Sequence, residues 1–563
     1  SDKEKREKEL EKKQQLERKT YKLVDETANG APSLKLPENR WYILATAADL
    51  LWDHDQTRAR GLFWDALNAV TLMALPAKNN NGSKATEKEK EQSQGLYFQV
   101  FSLRQSLLRQ VARRDPSLAL DMLRSSRQPV PETSNQHFPL PDDRDLEQQI
   151  ATEAATSDPK RALQLARDSL AKGLSFRLLE LLYRLNLKDG ELGTKFAGEM
   201  IEKVRLANLG LDPYAGRLAI SLLNYSRTPT VVPEGTPAAA VWRPLKLDEA
   251  QRRELTEMIT NAALSGPANG NLLFDLSELM PEIEQFTPER VALLQRKLAG
   301  FNQTLSREQQ VSLEYNSIFR NGTPEEMMTL ANRASDNDRQ WMQQQAVVMA
   351  VMRGRADALR EFAINEIEDE GRRKSLLDQL DAEQIDYAVH KGNADELTKL
   401  LPRVRRKEER ARAMVQIALV MEKKGNHDEA LKLLDEAQAM IKTDFFSETH
   451  TNALLSLVAA YALVEPSKAF SLVERAIDRA NDDVSKALLL DKIVSTGIVK
   501  KGEIRLQNSG VMPIDFAVFK YGKGVVALAN ADFERTKAAA DRLERYELRL
   551  LARLMLAQSL LRG

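Results

Sequence analysis

The chain contains five histidines, His54, His137, His390, His427 and His450. No two lie within a helical turn of each other and no HExxH occurs, so a histidine metal centre would need ligands from distant segments. The densest ligand-like run is Asp53-His54-Asp55. As chemistry, these three side chains could hold a cation. As architecture, they form a turn between helices in which Asp55 caps the second, and this is the reading adopted. His427, within Gly425-Asn426-His427-Asp428, is read the same way. There is no cysteine, which excludes disulfides, Cys-ligated zinc or iron–sulfur sites and a thiol nucleophile. GxxxxGK[ST], GxGxxG after a strand and GxSxG are all absent. Carboxylate groups such as Asp142-Asp143, Asp482-Asp483 and Glu366 with Glu368 to Glu370 are background in a chain with 29% charged residues. A glycosidase-type glutamate could sit on a helical array, but nothing singles one out. No catalytic, cofactor-binding or metal residue is assigned, and no cofactor is expected.

One charged pattern stands out. Arg403, Arg405, Arg406, Arg410 and Arg412 fall within ten residues, with Arg372 and Arg373 upstream. Together they could form a basic stripe across two helical units, suited to an acidic peptide or a phosphate-rich surface. The competing reading is a solvated helix face neutralised by Glu408, Glu409 and the acids at 366–370. Lys plus Arg equals Asp plus Glu, at 82 each, which argues against a general nucleic-acid coat. No aromatic residues interleave the stripe to stack bases.

These residues sit in a chain that reads as helical almost throughout. There is no βαβ rhythm and no run of alternating strands, so the expected class is all-α with little or no strand. Hydrophobic residues make up 42% of the 563, enough for a packed protein. No apolar run reaches the roughly 18–20 residues a membrane helix needs. Thr451 to Val464 is the most apolar stretch and reads as a buried core helix. Residues 1–28 are expected to form a charged helix or arm, solvated or docked on another subunit. A helical-repeat segment follows over 29–226, with loops at 78–94 and 127–143. Residues 227–246 form a Pro-rich excursion, since Pro fixes φ and removes a donor. A middle helical segment covers 247–388. Helical repeats fill 389–563, with an irregular insert or short hairpin at 502–524.

Self-similarity organises the helices. Asp115-Pro116-Ser117-Leu118-Ala119 matches Asp158-Pro159-Lys160-Arg161-Ala162 and Glu465-Pro466-Ser467-Lys468-Ala469. Asp caps orphan N–H groups, Pro presets φ at the first helical position, and the small Ala admits a neighbouring helix. A sister form stops one helix with Gly354, Gly392 or Gly425, since Gly takes the left-handed conformation. Inward positions recur at steps of 38 (Leu359 to Leu397), 33 (Leu397 to Ala430), 39 (Ala430 to Ala469) and 43 (Ala119 to Ala162), the size of one helical hairpin. The stretch from Glu422 to Met440, EKKGNHDEALKLLDEAQAM, resembles the second half of a tetratricopeptide unit. The resemblance covers Trp41–Ser226 and Ala356–Ala480, with variable step and without the Trp, Leu-Gly and Tyr positions. It implies an α-solenoid of antiparallel helix pairs whose concave face binds peptides or protein surfaces.

The expected function is therefore a non-enzymatic interaction scaffold or binding module. The alternative is a structural subunit of a periplasmic or extracellular assembly, and a cryptic hydrolase ranks below both. Expected partners are another protein or copies of the chain, without nucleic acid or direct membrane insertion. The start without Met and the absence of cysteine favour a periplasmic or extracellular location after signal removal, with the cytoplasm as alternative.

Overall fold

Turn residues decide where each helix begins and ends. The Asp55, Asp115 and Asp158 carboxylates accept from the backbone N–H groups of Arg58, Leu118 and Arg161 at 2.9–3.0 Å. Ala59, Ala119 and Ala162 are fully buried behind them. Gly354, Gly392 and Gly425 have φ of 67°, 65° and 85°. After each, the next N–H reaches back five residues: Arg355 to Ala350 O, Asn393 to Ala388 O and Asn426 to Met421 O, at 2.7–3.0 Å. This is the Schellman closure. Glu465 is a weaker variant; its side chain accepts from the Ser467 hydroxyl, while Ala469 is still buried.

The computed structural model describes residues 2–74, 87–127, 143–212, 214–227, 243–265, 272–273, 276, 279–404, 406–441, 448–494, 497–506 and 514–562. The chain forms two compact units. The first combines Ser1–Met73, Asn321–Asn332 and Asp336–Gly563, and the second holds Ala74–Arg320 and Arg333–Ser335. This division differs from the segments expected at 226/246 and 388/389, because the first unit draws on distant stretches of sequence.

The first unit opens with α1 (Asp2–Gly30), α2 (Pro37–Leu51) and α3 (Gln56–Ala74). The second contains α4 (Glu87–Arg114), α5 (Pro116–Ser125), α6 (Asp143–Ser157), α7 (Pro159–Ala171), α8 (Arg177–Lys188), α9 (Gly190–Arg205), α10 (Ala215–Ser226), α11 (Glu249–Ser265), α12 (Met280–Phe286), α13 (Val291–Thr304) and α14 (Arg307–Asn321). From α4 to α11 most helices pack on the next and the next but one, and α6 to α13 share a continuous core from Ala151 to Leu294. That is the packing of a solenoid. The expected loop at 78–94 is helix from Glu87 onward, and its remainder lies outside the described residues. Only the edges of the excursions at 127–143 and 227–246 are described. The first is pinned by Arg104, which is buried and donates to Ser126 Oγ and Asp143 Oδ1. At the second, Leu245 N–H donates to Tyr225 O.

The first unit resumes with α15 (Pro324–Ala331), α16 (Asp336–Met352), α17 (Ala356–Glu366), α18 (Glu370–Lys391), α19 (Ala394–Leu400), α20 (Lys407–Lys423), α21 (His427–Met440), α22 (Glu448–Val464), α23 (Pro466–Val494), α24 (Ile514–Ala531), α25 (Phe533–Asp541) and α26 (Tyr546–Arg562). Here α16, α18, α20, α22, α24 and α26 form one row, each packed on the next, and the odd-numbered helices α17 to α25 pack against them. The chain is an all-α solenoid of antiparallel helix pairs. Between α23 and α24, β1 (Val499–Lys500) and β2 (Glu503–Ile504) pair antiparallel through Lys501 and Gly502, both at positive φ. The hairpin thus begins before the expected insert at 502–524, and from Ile514 that segment is helix. Residues 507–513 lie outside the described set.

The array continues past α26 into the start of the chain. α1 packs on α26, and α2 packs on both α1 and α26, as the next second and first helices would. Residues 7–15 of α1 are exposed, whereas Thr20, Leu23, Val24, Thr27 and Ala28 are buried. Leu23 shares a cluster with Ala529, Phe533 and Leu556. Ion pairs Lys19–Glu534 and Lys537–Glu26 frame it at 2.8 and 3.0 Å. The expected arm is therefore solvated only in its first half; its second half is a component of the repeat packing. β2 completes the seam. The Glu503 carboxylate accepts from the N–H groups of Lys35 and Leu36 and from the Asn39 amide. Asn39 in turn donates to Ile504 O at 2.8 Å and accepts from Leu506 N–H at 3.0 Å.

Two glycines separate conformational from steric need. Gly392 has open space where a β-carbon would sit but a left-handed φ, so Gly392→Ala should cost about 1 kcal/mol. At Gly524 an added Cβ would lie 2.5 Å from Ala459 Cα, backbone of the adjoining α22. Gly524→Val should cost about 1–3 kcal/mol or more through overpacking. Denaturant midpoints of the two variants check both figures; equal, negligible shifts would remove the close α22–α24 approach.

Candidate interaction surfaces

The even-numbered row of the first unit gathers titratable groups. Arg412, on α20, has a side chain only 16% exposed. It pairs with Asp386 of α18 and, at 2.9 Å, with Glu409 one turn earlier on its own helix. Burial works against the Arg412 charge, but the two carboxylates outweigh it and its pKa is raised. Burial also raises the Glu409 pKa, with Asp386 adding to the effect and Arg412 opposing it. Glu383, one turn before Asp386, is raised by burial and then by Asp386. On α24, Tyr521 donates to Asn452 Oδ1 of α22 at 2.8 Å, and burial pushes its pKa up to about 12. Two carboxylates, Asp386 and Glu409, thus share one guanidinium. Asp386 is exposed at this row.

The basic stripe is divided between the fold and the surface. Arg412 is held within the row, and Arg373 donates to Ile367 O at 3.1 Å. Arg403 lies 3.7 Å from Asp357, both well exposed. Arg372, Arg406 and Arg410 are exposed, and Arg405 lies outside the described residues. Sequence reasoning passed over Glu383, Asp386, Asn452 and Tyr521. The i,i+3 pairs Glu383/Asp386 and Glu409/Arg412, on successive even-numbered helices, were the available signal.

The histidines serve turns and packing. His54 stacks on Tyr21 with ring centroids 3.9 Å apart, while Asp55 caps α3. His427 Nδ1 lies 3.0 Å from Glu422 Oε2. His450 is buried, His390 is in the last turn of α18, and His137 lies outside the described residues. Among the described residues, no group of three or more His, Asp or Glu side chains could hold a metal ion, and no helix is long and apolar enough to cross a membrane.

The second unit carries a surface of another kind. Leu206 and Leu211, in the connection between α9 and α10, are 84% and 80% exposed. Tyr214 ends that connection and meets Phe176 of the α7–α8 connection edge to face, with centroids 5.0 Å apart. Both rings are partly exposed, and the Arg217 guanidinium lies 5.0 Å from the Phe176 centroid. Aromatic, Arg and Leu side chains therefore share one turn edge. Sequence periodicity does not show this patch, because it comes from loops between periodic segments.

No protein-family model and no curated protein matches the chain. Among solved structures it is similar to a "Circular tandem repeat protein with novel repeat topology and enhanced subunit contact surfaces", at 14% identity. The match covers 94% of this chain and 98% of that one, with a TM-score of 0.15. The helical-repeat assignment rests on the helix pairs described above.

The Glu383 environment has a pH signature. A raised carboxyl pKa means the folded state keeps a proton that the unfolded chain has already released. Its charge therefore opposes folding above the raised value, and the effect vanishes below the ordinary range near about 4. Glu383→Gln should raise the melting temperature at pH 8 and leave it near wild type below that range. A lower melting temperature at pH 8 would show that the carboxylate makes a net favourable contact.

Proposed function

We propose that this protein is a non-enzymatic interaction scaffold that binds a protein partner. The supporting observation is the turn edge of the second unit, where Leu206, Leu211, Phe176 and Tyr214 expose apolar and aromatic surface beside Arg217. Isolated exposed apolar residues are ordinary, but a group of this kind marks association surfaces. Aromatic and Arg residues are also the types that carry most binding energy at interfaces. The solenoid architecture agrees with this reading, since stacked hairpins expose turn edges and helix rows as extended recognition surfaces. The polar row around Arg412 would add specificity rather than affinity.

The partner is a different protein or a second copy of the chain, and one pair of experiments separates these. A photo-crosslinking residue at position 211 should trap a defined protein in lysate from the source cells, and the double variant Leu206→Ser/Leu211→Ser should abolish binding of that protein once purified. Both positions are at least 80% exposed, so the variant should keep wild-type stability. Light scattering on the pure protein should give a monomer if the partner is heterologous. A large particle that the double variant reduces to monomer would make the chain a self-assembling structural subunit. A monomer that traps nothing at 211 would overturn the scaffold reading at this surface.

A further inference from the structure

We propose that α1, α2 and α3 form a latch, detaching from the C-terminal helices and re-docking as one unit while the repeats stay folded. The pairing of α26 with α1 is the first reason. It is packed like the other helix pairs of the array, yet its halves are Asp2–Gly30 and Tyr546–Arg562 and no short turn joins them. A pair without its own turn loses no covalent restraint when it opens, and must re-form its closure by long-range docking.

The chemistry of the seam is the second reason. Three buried side-chain polar atoms here lack a hydrogen-bond partner among the described residues: both Glu38 oxygens and Arg505 Nε. Glu38 faces Lys500 Nζ and Arg505 Nε at 3.8 and 3.7 Å, beyond hydrogen-bonding distance. Opening the seam hydrates all three atoms, so closure must offset their desolvation. Glu503 and Glu547 are also buried at this seam, with Arg545 paired to Glu547 at 2.8 Å. Apolar contact is part of the closure: Leu23 clusters with Ala529, Phe533 and Leu556, with Leu16, Val525 and Leu560 partly buried around them. The framing pair Lys19–Glu534 is exposed and adds little. Many polar groups requiring exact partners, in a pairing without its own turn, describe a docked element that opens before the rest of the unit.

The seam carries its own reporters. Three of its hydrogen bonds use backbone N–H donors: Lys35 and Leu36 to Glu503, and Leu506 to Asn39. Amide hydrogen exchange on the full chain therefore reads the latch directly. In the wild type these three amides should exchange together, at least tenfold faster than buried amides of α20 and α22. Asn39→Ala removes three bonds across the seam and should speed the seam group about tenfold, leaving α20 and α22 unchanged. Seam amides exchanging in step with α20 and α22 in the wild type would overturn the proposal. So would an Asn39→Ala variant that accelerates every helix equally. If Asn39→Ala does not fold, the wild-type comparison of the seam amides with those of α20 and α22 decides.

Discussion

A helical hairpin has apolar side chains on both flanks, and it is stable only when a neighbour covers each. Stacking answers this for every interior pair and leaves two ends uncovered, which repeat proteins ordinarily close with polar capping units. The first unit meets that constraint at α26 by using its own opening helices. α1 covers the last row, and α2 continues it. The buried side of α1, the insertion of β2 and the placement of Glu503 all follow from this one need for cover.

The seam joins segments with no local sequence relation, so its register cannot come from a turn. Asn39 supplies it. An amide side chain both donates and accepts, and Asn39 uses one group on Ile504 O and the other on Leu506 N–H, as a neighbouring strand would. Glu503 reciprocates by accepting from two consecutive backbone N–H groups at the entry to α2. Apolar contact alone would allow α2 to slide along α26; this exchange of directional bonds allows one position.

Much of the architecture was legible in the sequence because it is decided locally. Asp115 and Asp158 cap the helices they precede, and Gly354, Gly392 and Gly425 terminate theirs, since cap and left-handed turn need only a few neighbouring residues. Ala430 and Ala469 fall inward as their spacing implied. What was not legible depends on distance. The first fifteen residues of α1 are so charged that the whole segment reads as an arm. The buried stripe behind them uses Thr20 and Thr27, which satisfy their hydroxyls on the helix backbone and pack as core. Asn39 meets Leu506 across 467 positions, and no periodicity announces such a contact. The polar row was half visible: Arg412 stood out by charge, but its partners Asp386 and Glu409 turn it from a surface cation into an interior one.

The order in which the seam's halves are made differs from the order in which they are needed. Tyr546 meets Gly30 across 516 residues, so at typical elongation rates of ~5–20 residues per second the face of α1 waits roughly 25–100 s for α26 to be synthesised. During that interval Leu23 lacks its native partners Ala529, Phe533 and Leu556. The dense charge of the first fifteen residues beside them then acts as a solubilising flank for a helix whose partner does not yet exist.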